Sequence, residues 1–336
     1  MIGRIAQFWG LVRELDLRHV RADLERLPRI AVRGNPGSGR HTLARSLFGS
    51  GAGEAVYAVL PAASDDLEAF DLSILVLDGR EASSFEMRQA AADLALQGPL
   101  LVVITHADET LDLNTREEVR IAATTAAGAT GIWIDARDHS AVRSLIGPAV
   151  VDSLPSLTLA LGRWVPALRS EVATRIIHDA SRVNAEFALM SNLPAVIPFV
   201  GGVVGDVADL FVLTKNQAML VFKLAGVYGR DLGNVPILAA EILPVVGGAF
   251  LWRTLARSAV GLLPPMISAL PKTVVAFSGT FVVGEMARFY YERGTRPPDA
   301  AIAGFQTEAF RFYGRVAGRI GRALPGPLRH RAKGDA

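Results

Sequence analysis

Hydrophobic positions follow two regimes along this chain. In the first half they form short continuous runs, Ile30 to Val32, Ser73 to Asp78 and Leu100 to Ile104, with a further strand expected over Gly131 to Ile134. Runs of this length, apolar at nearly every position, fill strands buried on both faces, as in a parallel sheet. Helical stretches alternate with them, Arg40 to Phe48 after the first and Glu86 to Gln97 before the third, which is the pattern of an α/β domain. Between Phe48 and Asp71 lie only 22 residues, room for one strand, expected over Ala55 to Leu60. Upstream, Ile5, Phe8, Trp9, Val12, Leu15 and Val20 recur at helical spacing and predict an amphipathic helix packed on that domain.

The second regime begins past Ser153-Leu154-Pro155. A helix expected from Pro166 to Met190 carries Leu168, Val172, Ile176, Ala180, Val183 and Phe187 on one stripe. From Phe187 to Met286, 100 residues hold only 11 charged side chains, half the density of the whole chain. Phe187 to Gly205 is 19 residues without a charge, and Leu232 to Trp252 has 14 apolar residues in 21 with one acid, Glu241. Spanning a bilayer core takes about 20 residues, and Pro194, Pro198, Pro236 and Pro244 interrupt these stretches. The segment Ile197-Pro198-Phe199-Val200-Gly201-Gly202 recurs 46 residues later as Leu243-Pro244-Val245-Val246-Gly247-Gly248. Ser258 to Gly284 is a third apolar stretch, broken by Pro264, Pro265 and Pro271. Proline followed by paired glycine is turn chemistry, so these segments read as tips of apolar helical hairpins. Such hairpins suit either the buried helices of a compact all-α domain or insertion into a membrane. Asp206 and Asp209, three residues apart beside the first glycine turn, read as the polar end of an apolar helix.

The tail adds charge. Over Asp299 to Leu324 a helix would place Phe305, Ala309, Phe312, Val316 and Ile320 on one face and Arg311, Arg315, Arg319 and Arg322 on another. From Arg311 to the C-terminus seven basic residues stand against one acid, Asp335. That stripe suits anionic lipid on the cytoplasmic face of a membrane, or simply a solvated side of a docked helix. Nucleic acid is disfavoured as a partner, because no aromatic platform accompanies the charges. The 336 residues, half of them hydrophobic, allow two domains with a core in each. Mean hydropathy of +0.30 is high for a freely soluble protein, while a net charge of +2 decides little. Without cysteine there is no disulfide framework or thiolate metal site, in keeping with a reducing cytoplasm. Residues 1–27 have scattered charges and no long apolar core, so no secretory signal is expected there.

The chemistry sits after the first strand. Gly34-Asn35-Pro36-Gly37-Ser38-Gly39-Arg40-His41-Thr42 follows the phosphate-loop pattern G-x-x-x-x-G-K-[ST] with two changes, Arg40 for lysine and His41 for the hydroxyl residue. The glycines let backbone N–H groups close on phosphate oxygens, and the helix that starts at Arg40 adds its dipole. Arg40 keeps the charge, but a planar fork does not reach phosphates as a compact ammonium does. His41 removes the oxygen that would hold magnesium, and Thr42 lies about 100° further round the helix. Magnesium coordination is therefore doubtful.

After the run Leu100 to Ile104 comes Thr105-His106-Ala107-Asp108, and after Gly131 to Ile134 comes Asp135-Ala136-Arg137. In this order and on these elements the chain resembles the Era-like small GTPases, whose guanine motif is [NT]-K-x-D and whose last motif is Ser-Ala-Lys. The resemblance implies a P-loop GTPase-like, mostly parallel sheet, with GTP or GDP as cofactor. It implies that Asp108 accepts from guanine N1 and its exocyclic amine, that Thr105 braces the loop, that His106 replaces the lysine along the base, and that the Ala136 N–H meets the guanine oxygen. Two departures bear on activity. No threonine lies between Thr42 and Thr105, and Asp78-Gly79-Arg80-Glu81 lacks the fourth-position glycine of D-x-x-G. The switch elements that position water are thus missing, and Asp78 matches a strand end with no catalytic role in that family.

Gln217-Ala218-Met219, Val227-Tyr228-Gly229 and Phe289-Tyr290-Tyr291-Glu292-Arg293, within residues 180–293, resemble a bacterial hydrophobic domain of the YcjF type. That family is often fused to GTPase domains and linked to membranes. Together the readings predict an amphipathic helix over 1–28, a GTPase-like domain over 29–155, an all-α hydrophobic helical domain over 156–295 and a basic tail over 296–336. They imply a membrane-associated protein that binds guanine nucleotide weakly and hydrolyses it slowly or not at all. Alternatively, it is a non-catalytic adaptor whose helical domain binds a membrane, a partner protein or a second copy of the chain.

Overall fold

The computed structural model describes residues 15–49, 51–52, 55–62, 70–80, 85–106, 116–117, 120–121, 131–190, 204–242 and 272–323. They belong to two compact units. One comprises Arg18–Thr174 with Gly226–Gly229 and is an α/β fold. Its elements are α1 (Arg18–Glu25), β1 (Ile30–Gly34), α2 (Arg40–Phe48), β2 (Tyr57–Leu60), β3 (Leu72–Asp78), α3 (Phe85–Gln97), β4 (Leu100–Thr105) and β5 (Gly131–Trp133), followed by α4 (His139–Ser153) and α5 (Thr158–Trp164).

All five strands are parallel, in the order β2-β1-β3-β4-β5. The continuous apolar runs have their expected cause. Ile30, Ala31, Val32, Ile74, Leu75, Val102 and Val103 are fully buried in the three central strands. The half-buried β2 lies at an edge and occupies the single strand foreseen between α2 and β3. On one face Met87, Ala91 and Leu94 of α3 pack with Leu75, Leu77, Val102 and Ile104. Phe48, at the end of α2, stacks on Tyr57 of β2 at 4.5 Å. Chain order reverses between β1 and β3, so a crevice opens outside their carboxyl ends, the usual ligand position in such sheets.

The unit continues beyond the strands. Val142, Ile146, Val150 and Val151 of α4 and Ala160 and Leu161 of α5 are buried, and the Trp164 indole donates to the Leu24 carbonyl of α1 at 3.0 Å. Two glycines permit close approach here. A Cβ on Gly162 would lie 2.7 Å from Val227, and one on Gly226 would lie 2.2 Å from Leu24.

The second unit comprises residues 1–17, 175–225 and 230–336 and, within the described residues, is helical. It contains most of α6 (Arg169–Met190) and α7 (Val204–Val227), a helical segment 235–242, α8 (Lys272–Arg293) and α9 (Asp299–Ala323). A cluster of amides and hydroxyls lies inside it. Asn184 and Gln217 donate to the Thr280 hydroxyl at 2.8 and 3.0 Å, Thr280 donates to the Ala276 carbonyl, and Asn216 donates to Asn184. Asn184, Gln217 and Thr280 are 0 % exposed. The stripe expected on α6 needs correction, since Val183 is 50 % exposed while Ser181 and Asn184 take the inner positions. Of the face expected on α9, Ala309 is buried and Phe312 stacks on Phe277 and lies tilted against His178, while the neighbouring Tyr313 bonds to Thr273.

Glu241, the one acid of the second apolar stretch, is held by Arg230 at 2.9 Å and by the Tyr290 hydroxyl at 3.0 Å. Among the described residues no single helix is long and apolar enough to cross a membrane. The bent pair His139–Ser153 and Pro155–Trp164, meeting at 96°, qualifies by length and composition, but most of its apolar residues, Leu145 and Trp164 excepted, are core of the α/β unit. Both proline-glycine tips and most of Ser258 to Gly284 lie outside the described residues.

Candidate functional site

The carboxyl ends of β1, β3, β4 and β5 meet at one edge of the sheet. Gly34 closes β1 where no side chain fits, since a Cβ would stand 2.5 Å from Ser38 Oγ and 2.6 Å from the Val76 carbonyl. The chain then turns, with Ser38 N–H donating to the Asn35 carbonyl at 3.1 Å. Proline at the second position and Gly37 at the third, with φ of +88°, give this turn its type II form. Gly39, φ +83°, is the N-cap of α2, and no side chain caps the helix. The N–H groups of the first helical turn are therefore left for a ligand, with the positive end of the helix behind them.

A cavity of about 400 Å³ opens in front of this turn, lined by Gly37, Gly39, Arg40, His41, Thr42, Thr105, His106, Asp135, Ala136 and Arg137. Its size suits a small-molecule ligand. Gly34, Asn35, Pro36 and Ser38 form the backbone behind it, and Asp108 lies outside the described residues. Thr42, expected to point away, lines the cavity with His41.

Arg40 does not extend outward. Its Nη1 donates to the Asn35 carbonyl at 2.7 Å, so the guanidinium spans the loop that contains it. Its Nε is buried without a hydrogen-bond partner. Ser38 Oγ is likewise buried and without a partner. A phosphate would meet an uncapped helix start and two left-handed glycines, and this donor set fits an anion. For magnesium the fit is poor, since the helix start offers an imidazole at His41 where the hydroxyl is needed. Among the described residues no group of three or more histidines and carboxylates is arranged to hold a metal ion.

Thr105 joins the parts. Its hydroxyl lies 2.8 Å from the Ser38 carbonyl and 3.1 Å from the Leu77 carbonyl, which links the β4 end both to the phosphate loop and to β3. On the other side Ser46 of α2 donates to the Ala136 carbonyl at 2.9 Å, tying the β5 turn to the helix. The β3 and β5 ends repeat one device. Asp78 accepts from the backbone N–H and guanidinium of Arg80, and Asp135 accepts from the same groups of Arg137. These arginines hold both carboxyls below the usual carboxylate range, Asp78 with added help from His106 and against some desolvation. Asp78 and Ser46 were not singled out from sequence as site residues. Asp78 meets His106, 28 positions on, and Ser46 meets Ala136, 90 positions on, and only the parallel register of Asp78 with Thr105 brings the first pair together. The sequence matches no protein-family model and no curated protein.

Proposed function

We propose that the α/β unit binds a guanine nucleotide, GTP or GDP, weakly, and hydrolyses it slowly or not at all. The observation that supports this reading is the Thr105 hydroxyl on the Ser38 carbonyl, which joins the end of β4 to the glycine-rich loop beside one cavity, as a base-reading loop next to a phosphate loop would require. The phosphates would lie on the N–H groups of Gly37 to His41 and the base between Thr105, Ala136 and Asp108. Slow turnover follows from the missing switch threonine and D-x-x-G, since nothing in this interval would orient a water. The contact of Arg40 with its own loop, which takes this charge away from a ligand, favours a second reading, a non-catalytic adaptor whose helical domain binds a membrane or a partner protein.

The helical unit would associate with the cytoplasmic face of a membrane. The low charge density from Phe187 to Met286 and the basic tail support this. Calorimetric titration of the full chain with GDP and ADP tests the nucleotide, the expected result being heat with GDP and none with ADP. Asp108→Asn should then move the preference toward xanthine nucleotides, and unchanged selectivity would remove Asp108 from the site. Equal binding of ADP would overturn the guanine assignment.

A further inference from the structure

Among the described residues, His106 is the one non-glycine with a positive φ, +55°. A side chain held in the left-handed region costs energy that surrounding contacts must offset, and such positions gather at functional sites. His106 lines the cavity. Its Nδ1 lies 3.1 Å from Thr105 Oγ1 and 3.4 Å from Asp78 Oδ2.

The groups around that nitrogen favour one proton arrangement, with Asp135 a further carboxylate close enough to act on the ring. The Thr105 hydroxyl has a single proton, directed at the Ser38 or Leu77 carbonyl, both of which only accept. Toward His106 its oxygen therefore acts as an acceptor. Asp78, ionised by its pairing with Arg80, also only accepts. With acceptors on both sides, Nδ1 must carry a proton. In the neutral ring Nε2 then carries none, and it is the one ring nitrogen left for a ligand.

We propose that Asp78 is a positioning residue that, with Thr105, holds His106 in the Nδ1–H tautomer, so that Nε2 reads the ligand as a hydrogen-bond acceptor. The group it takes is an N–H or O–H donor on the bound nucleotide, an amine of the base or a ribose hydroxyl. This rests on the nucleotide reading for the ligand but not for the tautomer.

Two measurements on the full chain separate the parts. In long-range proton–nitrogen spectra with ring-labelled histidine, at a pH where the ring is neutral, the His106 signals are those lost in His106→Gln. They should show a protonated Nδ1 and an unprotonated Nε2. Asp78→Ala should raise the Nε2–H fraction several-fold, while Asp78→Asn, which keeps an acceptor oxygen, should preserve the wild-type pattern. A wild-type ring protonated mainly on Nε2, or a tautomer unmoved by Asp78→Ala, would overturn the positioning role. Titration with GDP should then shift the Nε2 signal. Calorimetric heat with GDP and no such shift would refute the reading role, whereas no heat at all would sink the nucleotide reading while the apo spectra still decide the tautomer.

Discussion

One hydroxyl, that of Thr105, ties the end of β4 to the loop at Ser38 and to β3. Thr105→Val keeps the shape and leaves the buried Ser38 and Leu77 carbonyls without that partner, a cost of about 1–3 kcal/mol. A lower urea midpoint and weaker GDP binding are expected, with Thr105→Ser restoring both; an unaltered midpoint would show that the carbonyls find other partners. The two Asp-x-Arg turns predict a pH dependence. A carboxylate whose folded pKa is depressed adds stability above its unfolded pKa, about 3.9, and loses it as pH falls through the folded value. Thermal unfolding midpoints should thus drop from about pH 4 downward, and less steeply in Asp78→Asn. Bracing by Thr105 was legible from its place in a motif. The part played by Asp78 was not, because it depends on the pairing register of two strands. Nor did the identity of Arg40 foretell that its guanidinium would bond back to its own loop.

At the scale of elements, the strands of the sheet were readable because a strand buried on both faces is written as an unbroken apolar run. The edge strand β2 was readable by length alone, there being space for no more. Helices buried on one side were read less well. On α6 the apolar stripe pointed to Val183, whereas Ser181 and Asn184 sit inside, because a hydrogen-bonded amide can occupy a core position that hydrophobicity assigns to a neighbour. The Asn184–Thr280–Gln217 cluster should therefore be costly to break. Thr280→Val removes the acceptor of two buried amides, roughly 1–3 kcal/mol for each, and chemical unfolding of the helical unit should shift accordingly. A neutral result would mean that the amides re-pair with each other. Glu285 on α8 predicts the opposite pH sign from the aspartates. Burial raises its pKa, against the help of Arg288, so its contribution is favourable below its unfolded value and is lost as pH rises. Glu285→Gln should stabilise the unit at pH 7 and leave it unchanged near pH 4, as thermal melts at the two pH values would reveal.

For the molecule as a whole, the division between units falls inside helices. Thr174 and Arg175 lie within α6, and the last two residues of α7, Gly226 and Val227, belong with Tyr228 and Gly229 to the α/β unit. A chain cut at 155 would lose Leu157, Ala160, Leu161, Val165 and Leu168, all of which are buried, and expose the apolar surface that they cover. A fragment of 1–155 is expected to aggregate, and one of 1–174 to remain soluble but weakened by the loss of Val227, whose burial contributes about 1.5–3 kcal/mol. Gel filtration of both fragments checks this, and a monodisperse 1–155 would refute it. In the full chain, sedimentation with membranes should separate two contributions. A tail held by arginines is released by high salt, whereas hairpins in hydrocarbon yield only to detergent. Protein that stays in the supernatant without detergent would end the membrane reading.

The last turn of α7 also gives the molecule a timetable. Gly226 lies 52 positions after Thr174, yet it meets Leu24 near the start of the α/β unit. At about 5–20 residues per second the ribosome needs roughly 3–10 s to make that interval. Through that delay α1 and α5 are without the residue that fills the space beside Gly162. Nascent chains arrested between 174 and 226 should be cut readily by protease in α1 and α5, and should become resistant once synthesis has passed Gly229.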